Sequence, residues 1–112
     1  MTDDELVDAL KALAHPVRLR IMQALTGTER NVGEIDDAAD IGQPTLSQQL
    51  AVLRNAGLVK TRKDAKLVYY RIDEGTLAQV VGAAGELGGV SARPARPSRR
   101  PAPGVANFAR LG

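Results

Sequence analysis

Between Gln43 and Arg71 the sequence sets short hydroxyl and amide side chains beside a run of cations. Gln43, Thr45, Ser47, Gln48 and Gln49 fall close together, with Ala51 just beyond. Such side chains suit the edges of base pairs. A glutamine amide can pair bidentately with adenine, serine and threonine hydroxyls can reach bases or phosphates, and an alanine methyl can touch the methyl of thymine. From Arg54 to Arg71 six basic residues (Arg54, Lys60, Arg62, Lys63, Lys66, Arg71) meet one acidic residue, Asp64, for a net +5. Residues 1–40 carry four basic and nine acidic residues, a net −5. A chain of formal net charge +2 has therefore segregated its positive charge onto one short segment. The simplest use of such a field is to bind phosphates, and the adjoining polar set makes double-stranded DNA the expected partner. A merely solvated basic surface is the bland alternative.

These residues need a helix and a hairpin to position them. Leu46, Leu50 and Leu53 recur at i, i+4 and i+7, one apolar stripe of a helix. Pro44 suits its first helical position, where a missing N–H costs nothing. Asn55-Ala56-Gly57 closes it, with Gly57 placed for a left-handed cap. Thr45, Ser47, Gln48 and Ala51 lie away from the stripe. Residues 58–62 and 67–72 then read as two β-rich runs joined by the polar break Lys63-Asp64-Ala65-Lys66, a hairpin. Upstream, Val32 to Ala39 reads as a short helix capped by Asn31, with Val32, Ile35 and Ala39 inward and Glu34, Asp36 and Asp37 outward. Asp40-Ile41-Gly42-Gln43 turns into the polar-fronted helix. Short helix, glycine-containing turn and second helix form a helix-turn-helix, in which the first helix braces the second against the DNA backbone.

The flanks add two helices before this unit and one after it. Asp3 to Ala14 is amphipathic through Leu6, Val7, Leu10, Leu13 and Ala14, with acids in its first turn and Thr2 as cap. His15-Pro16 breaks the helix and restarts the next, whose expected buried face is Val17, Leu19, Ile21, Met22 and Leu25; Arg18 and Arg20 lie elsewhere on its surface. Residues 26–31 read as a loop. After the hairpin, Asp73 to Thr76 starts a last helix with an apolar stripe of Leu77, Val80, Val81, Ala84 and Leu87. Its small residues Ala78, Gly82, Ala83 and Gly85 permit close helix–helix approach. His15 is the sole histidine and there is no cysteine, so His15 is read as a capping or packing residue and no thiolate or histidine metal site is expected. Glu34, Asp36, Asp37 and Asp40 could hold a hard cation through oxygens, but a solvated acidic face is the preferred reading.

Several motifs together carry a resemblance. Ser47-Gln48-Gln49-Leu50, Val52-Leu53-Arg54, Ala56-Gly57-Leu58-Val59 and Tyr69-Tyr70-Arg71 resemble the winged-helix region of the arsenic-repressor (ArsR/SmtB-type) transcriptional regulators. Ala12 to Met22, around His15-Pro16, resembles that family's start. The wording from Gln43 to Leu50 is most similar to the branch of sulfide- and biofilm-related repressors. The resemblance spans residues 6–88. It implies a mainly α fold with a small β-hairpin, a winged helix-turn-helix of order α-α-α-α-β-β-α, dimeric through its first and last helices. The polar-fronted helix and the +5 segment lead to the expectation that the Pro44–Asn55 helix enters a major groove, with Gln43, Thr45, Ser47, Gln48 and Gln49 as its DNA-facing residues, Arg54 on phosphate, and Arg62, Lys63 and Lys66, on the hairpin that forms the wing, on the flanking backbone or minor groove. Metal-sensing members of the family carry a Cys-x-Cys pair where this chain has Asn31 and Gly33. Thiol-sensing members use a cysteine at the position of Gly33. The family's other metal site takes Asp and His residues on the last helix, which has no histidine here. The expectation is therefore no metal and no cofactor, and release by a small organic effector at the dimer seam or by no effector at all.

At 112 residues the chain can hold one domain. Residues 1–88 are expected to form the DNA-binding and dimerisation domain, and 89–112 a flexible Pro/Arg-rich tail carrying Arg93, Arg96, Arg99 and Arg100. Aromatics are only 3% of residues, so Leu, Val, Ile and Ala must fill the core and a dimer interface is a natural source of further buried area. No apolar run reaches spanning length and no signal peptide is evident, so a cytoplasmic protein without membrane contact is expected. No Ser/His/Asp set, phosphate-cradling glycine loop or metal-ligand cluster suggests an enzyme. The function expected is sequence-specific repression by a homodimer on an inverted-repeat operator. The alternative is a winged-helix adaptor for an acidic protein partner, which the small polar side chains of the exposed face disfavour, since protein interfaces use aromatic anchors.

Overall fold

The structure is a computed structural model that describes residues 1–89. The tail arginines and Phe108 lie outside the described residues. The elements are α1 (Asp3–Leu13), α2 (Pro16–Ala24), β1 (Arg30–Asn31), α3 (Val32–Ala39), α4 (Thr45–Asn55), β2 (Val59–Asp64), β3 (Leu67–Ile72) and α5 (Glu74–Leu87). Residues 1–80 form one compact unit, which holds every element discussed below except the last turns of α5.

The helix starts follow the capping chemistry in the sequence. Thr2 and Glu5 form a reciprocal box: Glu5 N donates to Thr2 Oγ1 (3.1 Å) and Thr2 N to Glu5 Oε1 (2.7 Å). Asn31 and Glu34 repeat it at α3, both bonds at 2.9 Å. His15 caps α2, its Nδ1 accepting from Val17 N at 3.2 Å, and Pro16 is the first helical residue. The capping role expected of the lone histidine is the one it has.

The core is aliphatic. Ile21, Leu25, Ile35, Leu46, Leu50, Leu53 and Leu58 are its fully buried large side chains, each stabilising the fold by roughly 1.5–3 kcal/mol relative to exposure. Three expected faces differ. In α1 the buried residues are Ala9 and Ala12, with Leu6 and Leu13 partly buried, while Val7 and Leu10 stay exposed. The two alanines turn inward because they let α1 lie close against α2 and α4. In α2, Ile21, Met22 and Leu25 are buried but Leu19 is exposed. It stands two residues from Ile21, about 200° round the helix and so on the far side. In α5, Val80 is buried whereas Val81 and Leu87 are 55% and 85% exposed.

The sheet has three strands, not two, in the order β1-β3-β2 and antiparallel throughout. Residues 30–31, read as loop, pair as Arg30↔Tyr70 and Asn31↔Tyr69. Two residues are too few to show a period, and their partners lie some forty positions away. The hairpin is also longer than expected: β2 runs to Asp64, so the turn is only Ala65-Lys66, and Ala65 has φ 57°. Alternation puts Val59 and Thr61 on one face with Tyr70 and Ile72, against the core, and Lys60, Arg62 and Asp64 on the other with Arg71, Tyr69 and Leu67.

Candidate nucleic-acid interface

The polar-fronted helix is α4. Leu46, Leu50 and Leu53 are at most 1% exposed and seat it on the core. At its end Gly57 has φ 78°, Gly57 N donates to Arg54 O (3.0 Å) and Leu58 N to Leu53 O (3.0 Å), the expected left-handed glycine cap. The start departs by one residue. The helix begins at Thr45, and Pro44 occupies the capping position, its carbonyl accepting from Gln48 N at 3.2 Å.

Upstream, the turn between the two helices is stitched by side chains that the sequence placed on the surface. Asp40 is left-handed (φ 55°) and Gly42 has φ 86°. Asp36 Oδ1 accepts from Ile41 N (3.2 Å) and Gly42 N (2.8 Å), so this carboxylate orders the turn. Arg20 Nη2 donates to Ala39 O (2.7 Å) and Asp40 O (3.0 Å), covering the carbonyl end of α3. Arg30 Nε does the same for α2 through Ala24 O at 2.8 Å. Arg18 covers the end of α1 through Ala12 O (2.6 Å) and Lys11 O (3.3 Å). A guanidinium at a helix C-terminus supplies missing donors and meets the negative end of the dipole. Three of the four basic residues in the acidic N-terminal part thus close helices.

Most of the expected reading set stands together in solvent. Gln43, Thr45, Ser47, Gln48 and Ala51 are exposed, as is Arg54 near the helix end. Ser47 Oγ donates to Gln43 Oε1 at 2.6 Å, which joins the turn to the first helical turn of α4. Gln49 turns aside: it is half-buried and its Oε1 accepts from Arg18 Nη1 at 2.8 Å.

The hairpin residues divide. Arg62 grips Glu29 with a two-pronged pair, Nε to Oε2 at 2.8 Å and Nη2 to Oε1 at 2.7 Å, lies 4.7 Å from the Tyr69 ring centroid, and has Asp64 Oδ2 3.7 Å from Nη1. The Arg62 fork holds the Glu29 carboxyl below its ordinary range, and Glu29 in turn raises the Arg62 guanidinium. Lys63 lies on the other face of the hairpin and Lys66 in its turn, both exposed. Among the described residues Arg62 is the only cation in a side-chain ion pair, so Arg54, Lys60, Lys63, Lys66 and Arg71 face solvent without a carboxylate partner. Glu29 was not singled out by the sequence, because its partner is 33 positions away. Also among the described residues, no group of three or more His, Cys, Asp or Glu is gathered as for a metal ion, and Glu34 and Asp36 are engaged by backbone N–H groups.

A helix-turn-helix whose second helix presents amides and hydroxyls, followed by a cationic hairpin, is the architecture of a winged helix-turn-helix DNA-binding protein. A sequence profile described as a helix-turn-helix domain matches residues 13–62. The chain is 49% identical over 80 residues to the biofilm growth-associated repressor of Xylella fastidiosa, covering 71% of this chain and 70% of that one. It is 49% identical over 79 residues to the protein of the same name from Agrobacterium fabrum, covering 70% and 68%. The crystal structure of the transcriptional repressor BigR from Xylella fastidiosa superposes with a TM-score of 0.62 at 46% identity, over 75% of this chain and 86% of that one. The chain belongs to the ArsR/SmtB family of winged helix-turn-helix transcriptional regulators, DNA-binding proteins and not enzymes. No helix among the described residues is long and apolar enough to cross a membrane.

Proposed function

We propose that the protein is a cytoplasmic homodimeric repressor that lays α4 of each protomer in a major groove of an inverted-repeat operator, with half-sites about one helical turn apart or a multiple of it. The observation that carries this reading is the exposed group Gln43, Thr45, Ser47 and Gln48 on a helix locked by three buried leucines. Thr45, Ser47 and Gln48 read bases; Arg54, Lys63 and Lys66 bind phosphates. Gln49 is assigned to support instead, and Arg62 reaches DNA only if it leaves Glu29. A second copy would cover Val7 and Leu10 on α1 and Val81 and Leu87 on α5, large apolar side chains exposed in the single chain. The relatives named repressors favour repression over activation. The positions that carry cysteines in metal- and thiol-sensing members are Asn31 and Gly33 here, one spent on a cap, so any effector is a small organic molecule rather than a thiol-bound metal.

The test is selection of bound duplexes from a random pool by chelator-treated protein at two salt concentrations. An inverted repeat with steep salt dependence supports the reading. Binding without sequence preference overturns it and favours an adaptor. On the selected operator, Gln48→Ala should relax preference at one position of each half-site by roughly 1–3 kcal/mol of discrimination, read as relative affinities for operators changed at that position. Unchanged preference would remove Gln48 from the reading set.

A further inference from the structure

We propose that Arg18, which lies outside the DNA-facing set, is a positioning residue for the reading helix and sets operator discrimination through Gln49. One guanidinium joins three helices. It is carried by α2, donates from Nε to Ala12 O (2.6 Å) and from Nη2 to Lys11 O (3.3 Å) at the end of α1, and from Nη1 to Gln49 Oε1 (2.8 Å) on α4. Arg18 is half-buried and has no carboxylate partner among the described residues. Its three hydrogen bonds go to neutral oxygens whose directions are fixed by two helices. A guanidinium is a rigid planar fork, so fixing two of its edges on α1 fixes where the third edge must find its acceptor.

The leucine stripe holds α4 to the core, but apolar burial is non-directional. A helix seated on leucines alone can roll by small angles about its axis at little cost. The Arg18–Gln49 bond removes that freedom, because it acts at the flank of α4 one residue from exposed Gln48. The roll of α4 sets where the Gln48 amide meets a base edge. Arg18 therefore acts on base readout without touching DNA, and it does so from the helix that also receives the end of α1.

This inference rests on the proposed reading role of α4. It is tested on the selected operator with the full chain by comparing affinity for operator and scrambled duplex, and the salt slope of each, in Arg18→Gln, Gln49→Met and the double variant. Each single change is expected to lower the operator-to-scrambled ratio by about tenfold, the scale of one lost charge-assisted hydrogen bond, with the salt slope unchanged because no phosphate contact is lost. The double variant is expected to fall no further than the lower single one, since both remove the same bond. Gln49→Glu, which retains an acceptor for Arg18, is expected to keep the ratio. Gln49→Met leaves the bonds from Arg18 to α1 in place, so the test stands even where Arg18→Gln loses folded structure. Multiplying losses in the double variant, or unchanged ratios in both singles, overturn the inference. Equal weakening of both duplexes with a shallower slope in Arg18→Gln also overturns it, by making Arg18 a phosphate contact. If the wild-type chain prefers no duplex, the proposed reading fails, and this inference with it; wild-type preference with unaltered variants sinks the inference alone.

Discussion

Glu29, in the loop before β1, engages Arg62 of the hairpin much as a phosphate would. Its two carboxylate oxygens sit 2.7 and 2.8 Å from the Arg62 fork, the geometry in which arginine also grips phosphate. On the proposed function, Glu29→Gln should therefore free Arg62 and remove a negative charge beside the cationic hairpin. Each phosphate contact contributes about 0.9 to the slope of log affinity against log salt, so one freed arginine per protomer should steepen a dimer's slope by about 1.8. Between 50 and 200 mM salt, a span of about 0.6 in log concentration, that is about twelvefold more loss of affinity than the wild type suffers. The matching gain appears at low salt and on scrambled duplex as well as on operator. Fluorescence anisotropy over a salt series reads both. Arg62→Ala in the Glu29→Gln background should return the slope to its wild-type value. If Glu29→Gln instead weakens binding with no change of slope, Glu29 serves to hold the wing in its binding position and its likeness to a phosphate has no consequence.

Further outcomes follow from the backbone, the core and the carboxylates. Ala65 has φ 57° in a two-residue turn, and Ala65→Gly should relieve about 1 kcal/mol and raise the melting temperature by roughly 4–8 °C. Gly57→Ala should cost about 1–2 kcal/mol for the opposite reason, since an added Cβ meets only Thr76 Cγ2 at an ordinary 3.9 Å; both are read by thermal denaturation. Leu50→Ala, at 1% exposure under α4, should lose roughly 2–5 kcal/mol by denaturant titration. The Thr2 backbone N–H and hydroxyl hold Glu5 below the ordinary glutamate value of 4.5, and the Arg62 fork does the same for Glu29. A lowered folded value means that the stabilising contribution is complete above about pH 4.5 and is lost as pH falls through the lowered values. NMR titration should find both midpoints below 4.5, with Arg62→Ala returning that of Glu29 upward; midpoints at the ordinary value would contradict the pairing.

What the sequence made legible divides along physical lines. Features whose partners lie within about five positions could be read directly: the Thr2, His15 and Asn31 caps, the leucine stripe of α4, and the glycine that ends it. Each rests on helical period or on a side chain reaching its own backbone. Features that join distant segments could not. Arg18 meets Gln49 across 31 positions and Arg62 meets Glu29 across 33, and β1 is only two residues long. Residue type alone set Gln49 and Arg62 among the candidates for DNA, and it could not show that Gln49 also meets Arg18 or that Arg62 also meets Glu29. The charge segregation was sound as a sum and incomplete in its parts: of the basic residues, Arg18, Arg20 and Arg30 are committed to carbonyls and Arg62 to carboxylates. The field available to DNA is thus set less by how many cations the chain carries than by which ones the fold has already used. Besides Lys11 on α1, the uncommitted cations among the described residues are Arg54, Lys60, Lys63, Lys66 and Arg71, all on α4 and the hairpin. That selection, made by tertiary contacts, leaves a nearly neutral chain with a cationic face beside α4, the face proposed to bind phosphates.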